Sequence, residues 1–400
     1  MPVSPPSTAF VTVLSTNYLP KALSLATSLR THHPEAELVV LIIDAREDSE
    51  LPDLDLPAGV RLVSTSILGL EERDLLQLAM IYDLVEFATA IKPVLFREIL
   101  READQVVYLD PDTYVTSPMA ELSLDLEASP GGILLTPHFL HPVPAGEHLS
   151  EGHLLTVGVY NLGFGAFDRR ALPFLDWWWG HLKTECLWDP LSGLFVDQKW
   201  VDVGAVMFHG TAWQHPGYNV SVANLHERPL TLTDGVFEVG GQPLRLFHFH
   251  AFDPDRPDEL STRHDASTAH FLSDNAGLKQ LCVEYAEKVV GFRDKMPSAP
   301  PYRYSQDSTG KKVMRRHRRA YRVEVLEGKS LPSPFLAAEA ADYARWKRYA
   351  RRVEVRELAS DAAKGVRIAI PEEYGWLKSK LPGVVNMIRG RVVNQSGIWK

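Results

Sequence analysis

Two runs that are apolar at every position, Ala9–Leu14 and Leu38–Ile43, bracket a stretch whose apolar residues recur at helical spacing: Leu23, Leu25, Ala26 and Leu29 within Leu19–Thr31. An uninterrupted apolar strand has to be covered on both faces, which parallel sheets with helical crossovers achieve and half-exposed antiparallel sheets do not. Strand, helix and strand within about thirty residues form a βαβ unit. The N-terminal part of the chain is therefore constrained to an α/β fold. Val60–Val63 adds a short strand, and residues from about Glu71 to Glu102 read as helix in two or three pieces, broken near Pro93. Gln105–Leu109 is a further buried strand that runs directly into Asp110-Pro111-Asp112. Leu155–Phe167 reads as strands containing Gly158, Gly163 and Gly165. Leu172–Trp188 reads as a helix carrying Trp177, Trp178 and Trp179, Val196–Val203 as a short helix, and Leu244–Phe249 as a last strand.

The chain of 400 residues is long enough for one large α/β domain with an addition. Its 45% hydrophobic and 23% charged residues exclude wholesale disorder. Two cysteines, Cys186 and Cys282, can supply neither a disulfide framework nor a four-thiolate zinc site, which fits a reducing, cytoplasmic setting. The opening Met-Pro-Val-Ser-Pro-Pro has no basic segment leading into an apolar one, so no secretory leader is expected. No apolar run reaches the length of a spanning helix.

Charge is divided unevenly. Residues 297–400 hold 22 Lys and Arg against 10 Asp and Glu, a net +12, whereas residues 1–296 hold 20 against 41, a net −21. With the linker-like Ser298-Ala-Pro-Pro-Tyr, this predicts a catalytic or binding domain over 1–295 and a basic, mainly helical extension over 296–400. The extension contains a dense basic segment, Lys311–Arg322, and an expected helix, Phe335–Leu358, with Arg345, Lys347, Arg348, Arg351 and Arg352. It suits an anionic membrane surface at its inner, cytoplasmic face, an anionic acceptor, or simply a solvated face. A nucleic-acid partner is not expected, because no basic–aromatic recognition module is present and the acidic first part would repel a polyanion.

The chemistry centres on Asp110-Pro111-Asp112. In an extended segment, side chains two apart point the same way, and ligands of open α/β sheets bind beyond the carboxyl ends of strands. Two such carboxylates repel unless a cation lies between them. A divalent-metal site holding nucleotide phosphates follows, although an isolated pair of this kind is commonly a solvated turn. Other motifs keep it company: Lys92, eighteen residues upstream; Asn161 in Tyr-Asn-Leu-Gly-Phe-Gly; Asp197-Gln198; Tyr218-Asn219; and Leu246-Phe-His248-Phe-His-Ala-Phe-Asp253.

In this order the motifs resemble those of the retaining GT-A-type glycosyltransferases related to glycogenin and the bacterial lipopolysaccharide galactosyltransferases, over roughly residues 9–255. Two departures stand out: Lys92 occupies a position usually held by arginine, and Ala251 replaces a glycine after His248, without the Lys-Pro-Trp that follows it in that family. The resemblance implies a GT-A (Rossmann-like), mostly parallel sheet flanked by helices. It implies transfer of a sugar from a nucleotide-sugar, typically a UDP-sugar, to a hydroxyl of a glycan or lipid-linked glycan, with retention at the anomeric carbon, in surface-polysaccharide or glycolipid assembly. Asp110, Asp112 and His248 would hold Mn²⁺ or Mg²⁺, the imidazole leaning toward Mn²⁺. Ser15, Thr16 and Asn17 would line the nucleoside pocket, and Asp44 would accept a hydrogen bond from base or ribose. Lys92 would contact donor phosphate or sugar, while Asn161, Asp197 and Gln198 would surround the transferred sugar. Asp197 is the better nucleophile by chemistry, though same-face attack remains open.

Two other classes use a similar sheet. A nucleotide-sugar-forming nucleotidyltransferase needs a Gly-rich phosphate loop after the first strand, and Ser15-Thr-Asn-Tyr-Leu-Pro has no glycine. A non-catalytic carbohydrate- or partner-binding module needs none of the ligands, and here all are present. Trp177–Trp179 are expected mostly in the core, with at least one off the buried face, since three successive helical positions span about 200°. His138, His141, His148 and His153 lie in a Pro/Gly-rich stretch, read as an acceptor-side flap. His209 and His215 receive no role.

Overall fold

The computed structural model describes residues 6–263 and 268–380. The start of the leader (1–5) and the end of the basic extension (381–400) lie outside the described residues. The chain divides into two compact units, one of Met1–Gly69, Ala88–His181 and Asp197–Pro300, the other of Leu70–Phe87, Leu182–Val196 and Pro301–Lys400. The second unit thus takes in two earlier segments that the composition shift assigns to the first domain.

The first unit is built on a mostly parallel, seven-stranded sheet. Strands β1 (Thr8–Leu14), β2 (Leu38–Ile42), β3 (Val60–Ser64) and β4 (Gln105–Leu109) run parallel in the order β3-β2-β1-β4. A three-residue strand, β5 (Thr113–Val115), follows β4 but leaves this sheet. Strands β6 (Ile133–Pro137) and β7 (Tyr160–Asp168) complete it with the short strand Thr211–Ala212; β7 lies between β4 and β6 and is antiparallel to both. β1, β2 and β4 are buried along almost their whole length, as strands covered on two faces must be. Helix α1 (Leu19–His32) buries Leu19, Leu23, Leu25, Ala26 and Leu29 on one side, in a cluster shared with Leu38, Val40 and Val107.

A small second sheet matters more to the chemistry. β5 pairs antiparallel with Leu246–His248, which pairs parallel with Val220–Ser221. Phe249, Tyr285 and Phe252 pack behind it, the first two rings stacked at 3.8 Å.

Several boundaries move for local reasons. The helical stretch after Glu71 breaks at Tyr82-Asp83 and at Ile91 rather than at Pro93. Pro93 sits in the first turn of helix Lys92–Ile99, where its missing N–H costs nothing. Residues 155–157, expected as strand, end a helix, Glu151–Val157, which stops at Gly158 with φ 117°. That left-handed backbone suits glycine and turns the chain into β7.

The second unit is mainly helical. Helix Ala340–Ala369 lays Tyr343, Trp346, Ala350 and Glu354 at spacings of three and four along its buried face. Trp346 donates its indole N–H to Glu324 (3.1 Å) on helix Arg315–Leu326. The dense basic segment is not a solvated face throughout. Arg318 is 3% exposed and donates to the carbonyls of Ala79 (2.6 Å), Tyr82 and Tyr304. It thereby satisfies carbonyls that the end of helix Glu72–Ile81 leaves without intrahelical partners. Arg319 pairs with buried Glu86, and Arg322 donates to the Thr184 carbonyl. No helix among the described residues is long and apolar enough to cross a membrane.

Candidate metal centre and active site

The acidic pair is shaped by a turn rather than by continued strand. Thr113 N donates to Asp110 O (3.0 Å), and the Thr113 hydroxyl donates to the same carbonyl (2.8 Å). Pro111 thus occupies the second position of a four-residue turn, a site its fixed φ favours. Both carboxylates converge because the backbone folds between them, which corrects the extended-strand argument without changing its outcome. Tyr108 O–H donates to Asp110 Oδ1 (2.5 Å) and leaves Oδ2 facing the centre.

His248 arrives by register. It lies opposite Thr113 in the antiparallel pairing, and Phe249 N donates to Asp112 O (2.8 Å). Its Nε2 stands 3.3 Å from Asp112 Oδ1 and 3.6 Å from Asp110 Oδ2. One ligand atom from each of Asp110, Asp112 and His248 lies within 4.8 Å of the others, the one such group of three found among the described residues.

The imidazole is oriented from behind. Asn219 donates its amide to Asn161 O (2.7 Å) and Thr136 Oγ1 (2.8 Å), so its Oδ1 is left to accept from His248 Nδ1–H (3.1 Å). That directs Nε2 toward the carboxylates, the arrangement that metal-binding histidines use. Asn219 itself has φ 54°, a left-handed conformation that asparagine tolerates better than most residues. Gly163 on β7 passes so close that a Cβ there would lie 2.3 Å from His248 Nδ1.

Electrostatics make the triad self-consistent. Burial pushes the Asp112 carboxyl up, but the hydrogen bond and charge of His248 outweigh it and hold it at about 2. For His248 burial acts downward, and Asp112 and then Asp110 carry the imidazole above its ordinary value. Two acids and an imidazole are a donor set for Mn²⁺ or Mg²⁺. An octahedral ion with ~2.1 Å bonds sets adjacent ligands about 3 Å apart, close to the separations of Nε2 from both acids. The residues fit such an ion.

Beside the triad lies a buried ion pair. Lys92 Nζ is 3.0 Å from Asp197 Oδ2, their side chains 4% and 3% exposed, and it also sits 4.2 Å over the Tyr108 ring. Lys92 therefore has Asp197 as its counter-ion. Burial pushes the Asp197 carboxyl up, Lys92 opposes this, and Asp110 adds to it; the net direction is upward. Asp197 ends a turn into helix Gln198–Met207, and its carbonyl accepts from the Trp178 indole (3.2 Å). Gln198 donates to Val157 O (2.9 Å) and meets His138 Nε2 at 3.3 Å. Asn161 uses its side-chain carbonyl on Gly163 N (3.0 Å), shaping β7.

At the ends of β1 and β2, Asp44 Oδ2 accepts from Thr16 N (2.6 Å), and the Ser15 hydroxyl donates to Asn17 Oδ1 (2.5 Å). Asp44 thus organises the Ser15–Asn17 turn. Tyr108, which bonds Asp110, was not singled out from the sequence, and Asn219, which was, received no role there although it bonds His248. The signal for Tyr108 was its place two residues before Asp110. Nearby, Lys21 Nζ lies 4.8 Å over the Tyr18 ring, and the Lys21 charge helps to lower the Asp112 carboxyl. Trp178 and Trp179 are buried, whereas Trp177 is partly exposed and meets His181 and Trp200. His138 and His153 approach each other with ring centroids 6.3 Å apart, and burial first, then His153, depresses the His138 imidazole to about 3. His215 pairs with Glu121 (3.1 Å), and His209 adopts a left-handed φ of 56°.

No family model matches the chain, and no curated protein does. Among solved structures, it is similar to the galactosyltransferase LgtC in complex with donor and acceptor sugar analogues. The two share 16% identity over 72% of this chain and 100% of the other, with a TM-score of 0.40. It is also similar to the bifunctional glycosyltransferase WbbM, at 15% identity over 56% of this chain and 41% of that one, with a TM-score of 0.35.

Proposed function

We propose that this chain is a metal-dependent glycosyltransferase that moves a sugar from a nucleotide-sugar, first among them a UDP-sugar, to a hydroxyl of a glycan or lipid-linked glycan with retention of configuration. The observation that carries the reading is the triad Asp110, Asp112 and His248 at the carboxyl end of β4, with the Lys92–Asp197 pair beside it. When bound, Mn²⁺ or Mg²⁺ supplies Lewis-acid neutralisation of the charge that develops on a leaving diphosphate.

The remaining work falls to the chain. Asn219 and Gly163 hold His248 in place, and Tyr108 holds Asp110. Lys92 favours the ionised form of Asp197 in a site whose burial opposes it. Asp197 then acts either as nucleophile or as the negative charge facing an oxocarbenium-like transition state in same-face attack. Ser15, Thr16, Asn17 and Asp44 form the nucleoside side, and Asn161 and Gln198 the sugar side.

The test is to incubate the protein with UDP-, GDP- and dTDP-sugars and Mn²⁺, and to follow release of nucleoside diphosphate. Slow release from one donor, lost on chelation and in Asp112→Asn, is expected, with the variant's melting temperature within a few degrees of the parent. Pyrophosphate chemistry would instead identify a nucleotidyltransferase, and silence across the panel a binding module. Full activity in a folded Asp112→Asn protein would remove the metal role.

A further inference from the structure

The loop beyond His248 carries a cation that no function has yet absorbed. The chain turns sharply at Ala251 (φ 56°), and Thr262, eleven residues on, returns to it: both its backbone N and its hydroxyl donate to Ala251 O, each at 2.9 Å. This brings Arg263 against His250, whose Nε2 accepts from Arg263 Nη1 at 2.8 Å. The His250 ring in turn lies 5.7 Å from the His248 ring, edge to face. Arg263 therefore stands one imidazole outward from the proposed metal position.

Its surroundings distinguish it from neighbouring arginines. Arg256 is paired with Asp253 and Glu259, and Arg293 with Asp255. Among the described residues Arg263 has no carboxylate within ion-pair distance, and it is solvent-exposed. Burial raises the Tyr18 phenol, Asp112 and Asp110 add to this and Arg263 opposes it, so the guanidinium and both acids are within electrostatic reach of one ring. Lys21 Nζ lies 4.8 Å over the same ring. A planar, permanently charged guanidinium held by an imidazole, with no acid partner among the described residues, matches paired phosphate oxygens.

We propose that Arg263, positioned by His250, is a specific ligand of the donor's diphosphate, neutralising it from the side opposite the Asp110–Asp112–His248 triad. This rests on the transferase reading above and names a residue that reading does not contain. His250 acts through Arg263 and is a positioning residue.

Titration calorimetry on the full chain with Mn²⁺ and UDP, GDP or dTDP tests it, with the matching nucleosides as controls. For the diphosphate that binds best, Arg263→Gln is expected to weaken binding at least about tenfold, the scale of a lost hydrogen bond to a charged group. Arg263→Lys should recover part of the loss, and nucleoside and Mn²⁺ binding should not change. His250→Ala should weaken the diphosphate in the parent protein but add nothing in an Arg263→Gln background. Equal diphosphate affinity in parent and Arg263→Gln proteins would overturn the proposal while leaving the transferase reading standing, as would a loss shared equally by the nucleoside. Failure of all three diphosphates to bind the parent protein would overturn both.

Discussion

Lys92 and Asp197 illustrate how much a single side chain's partner decides. Both are almost wholly buried, and a buried charge deprived of its counter-ion costs several kcal/mol. Lys92→Met is therefore expected to destabilise the protein by about 3–5 kcal/mol in urea unfolding, because Asp197 stays behind unpaired. Combining it with Asp197→Asn should recover much of that stability but no activity. Additive losses in the double variant would show that the pair is not energetically coupled. At this scale the sequence singled out three side chains that the fold brings together, since acids at a strand end and a late histidine are visible as letters. It could not show that Lys92 faces Asp197 rather than open site, because 105 residues separate them in the chain.

Elements decide where those atoms go. β7 crosses directly beneath His248, and only a residue without a side chain leaves room at position 163. Gly163→Ala is expected to displace the imidazole and lower Mn²⁺ affinity by about tenfold or more, as loss of supporting contacts around metal ligands commonly does, while the sheet persists. Electron paramagnetic resonance of free Mn²⁺ measures it, and parental affinity would separate Gly163 from the site. In the second unit, Glu86 on helix Leu84–Ala90 is 1% exposed and pairs with Arg319 (2.5 Å) on helix Arg315–Leu326. Burial pushes its carboxyl up, but the hydrogen bond and charge of Arg319, with the N–H groups of Trp188 and Asp83, carry it below its ordinary value. Such a group stabilises the fold above the ordinary carboxylate range and loses that contribution as pH falls through it. Glu86→Gln should cost about 3–5 kcal/mol at pH 7, and the gap to the parent should narrow as pH falls below about 4.5. A gap independent of pH would contradict the ion-pair account. The basic segment read as a face for partners is thus partly internal scaffolding, which a charge count along the chain cannot reveal.

For the whole molecule, we propose that the net +12 of residues 297–400 serves an anionic surface outside the chain. Helix Ala340–Ala369 exposes Arg345, Arg348, Arg351 and Arg352 around Tyr349, which is 73% exposed, and Val355. A basic surface with interleaved apolar groups suits an anionic bilayer, each residue near it adding roughly 1 kcal/mol. We expect the full chain to sediment with vesicles containing phosphatidylserine. Binding should fall at least about tenfold when these four arginines become glutamine, and should weaken steeply at high salt. Equal binding to neutral vesicles would exclude the electrostatic part.

What the chain determined unaided was its α/β architecture and the side chains of its candidate site: apolar strands must be covered on both faces, and paired acids at a strand end invite a cation. Those are local consequences of residue type and spacing. The three-dimensional fold alone decided that β5 pairs with Leu246–His248 so that His248 meets Asp112, that Asn219 presets the imidazole, and that Arg318 and Arg319 turn inward. Each depends on strand register or on contacts between residues far apart in the chain, and side-chain direction is inherited from register, not from sequence distance.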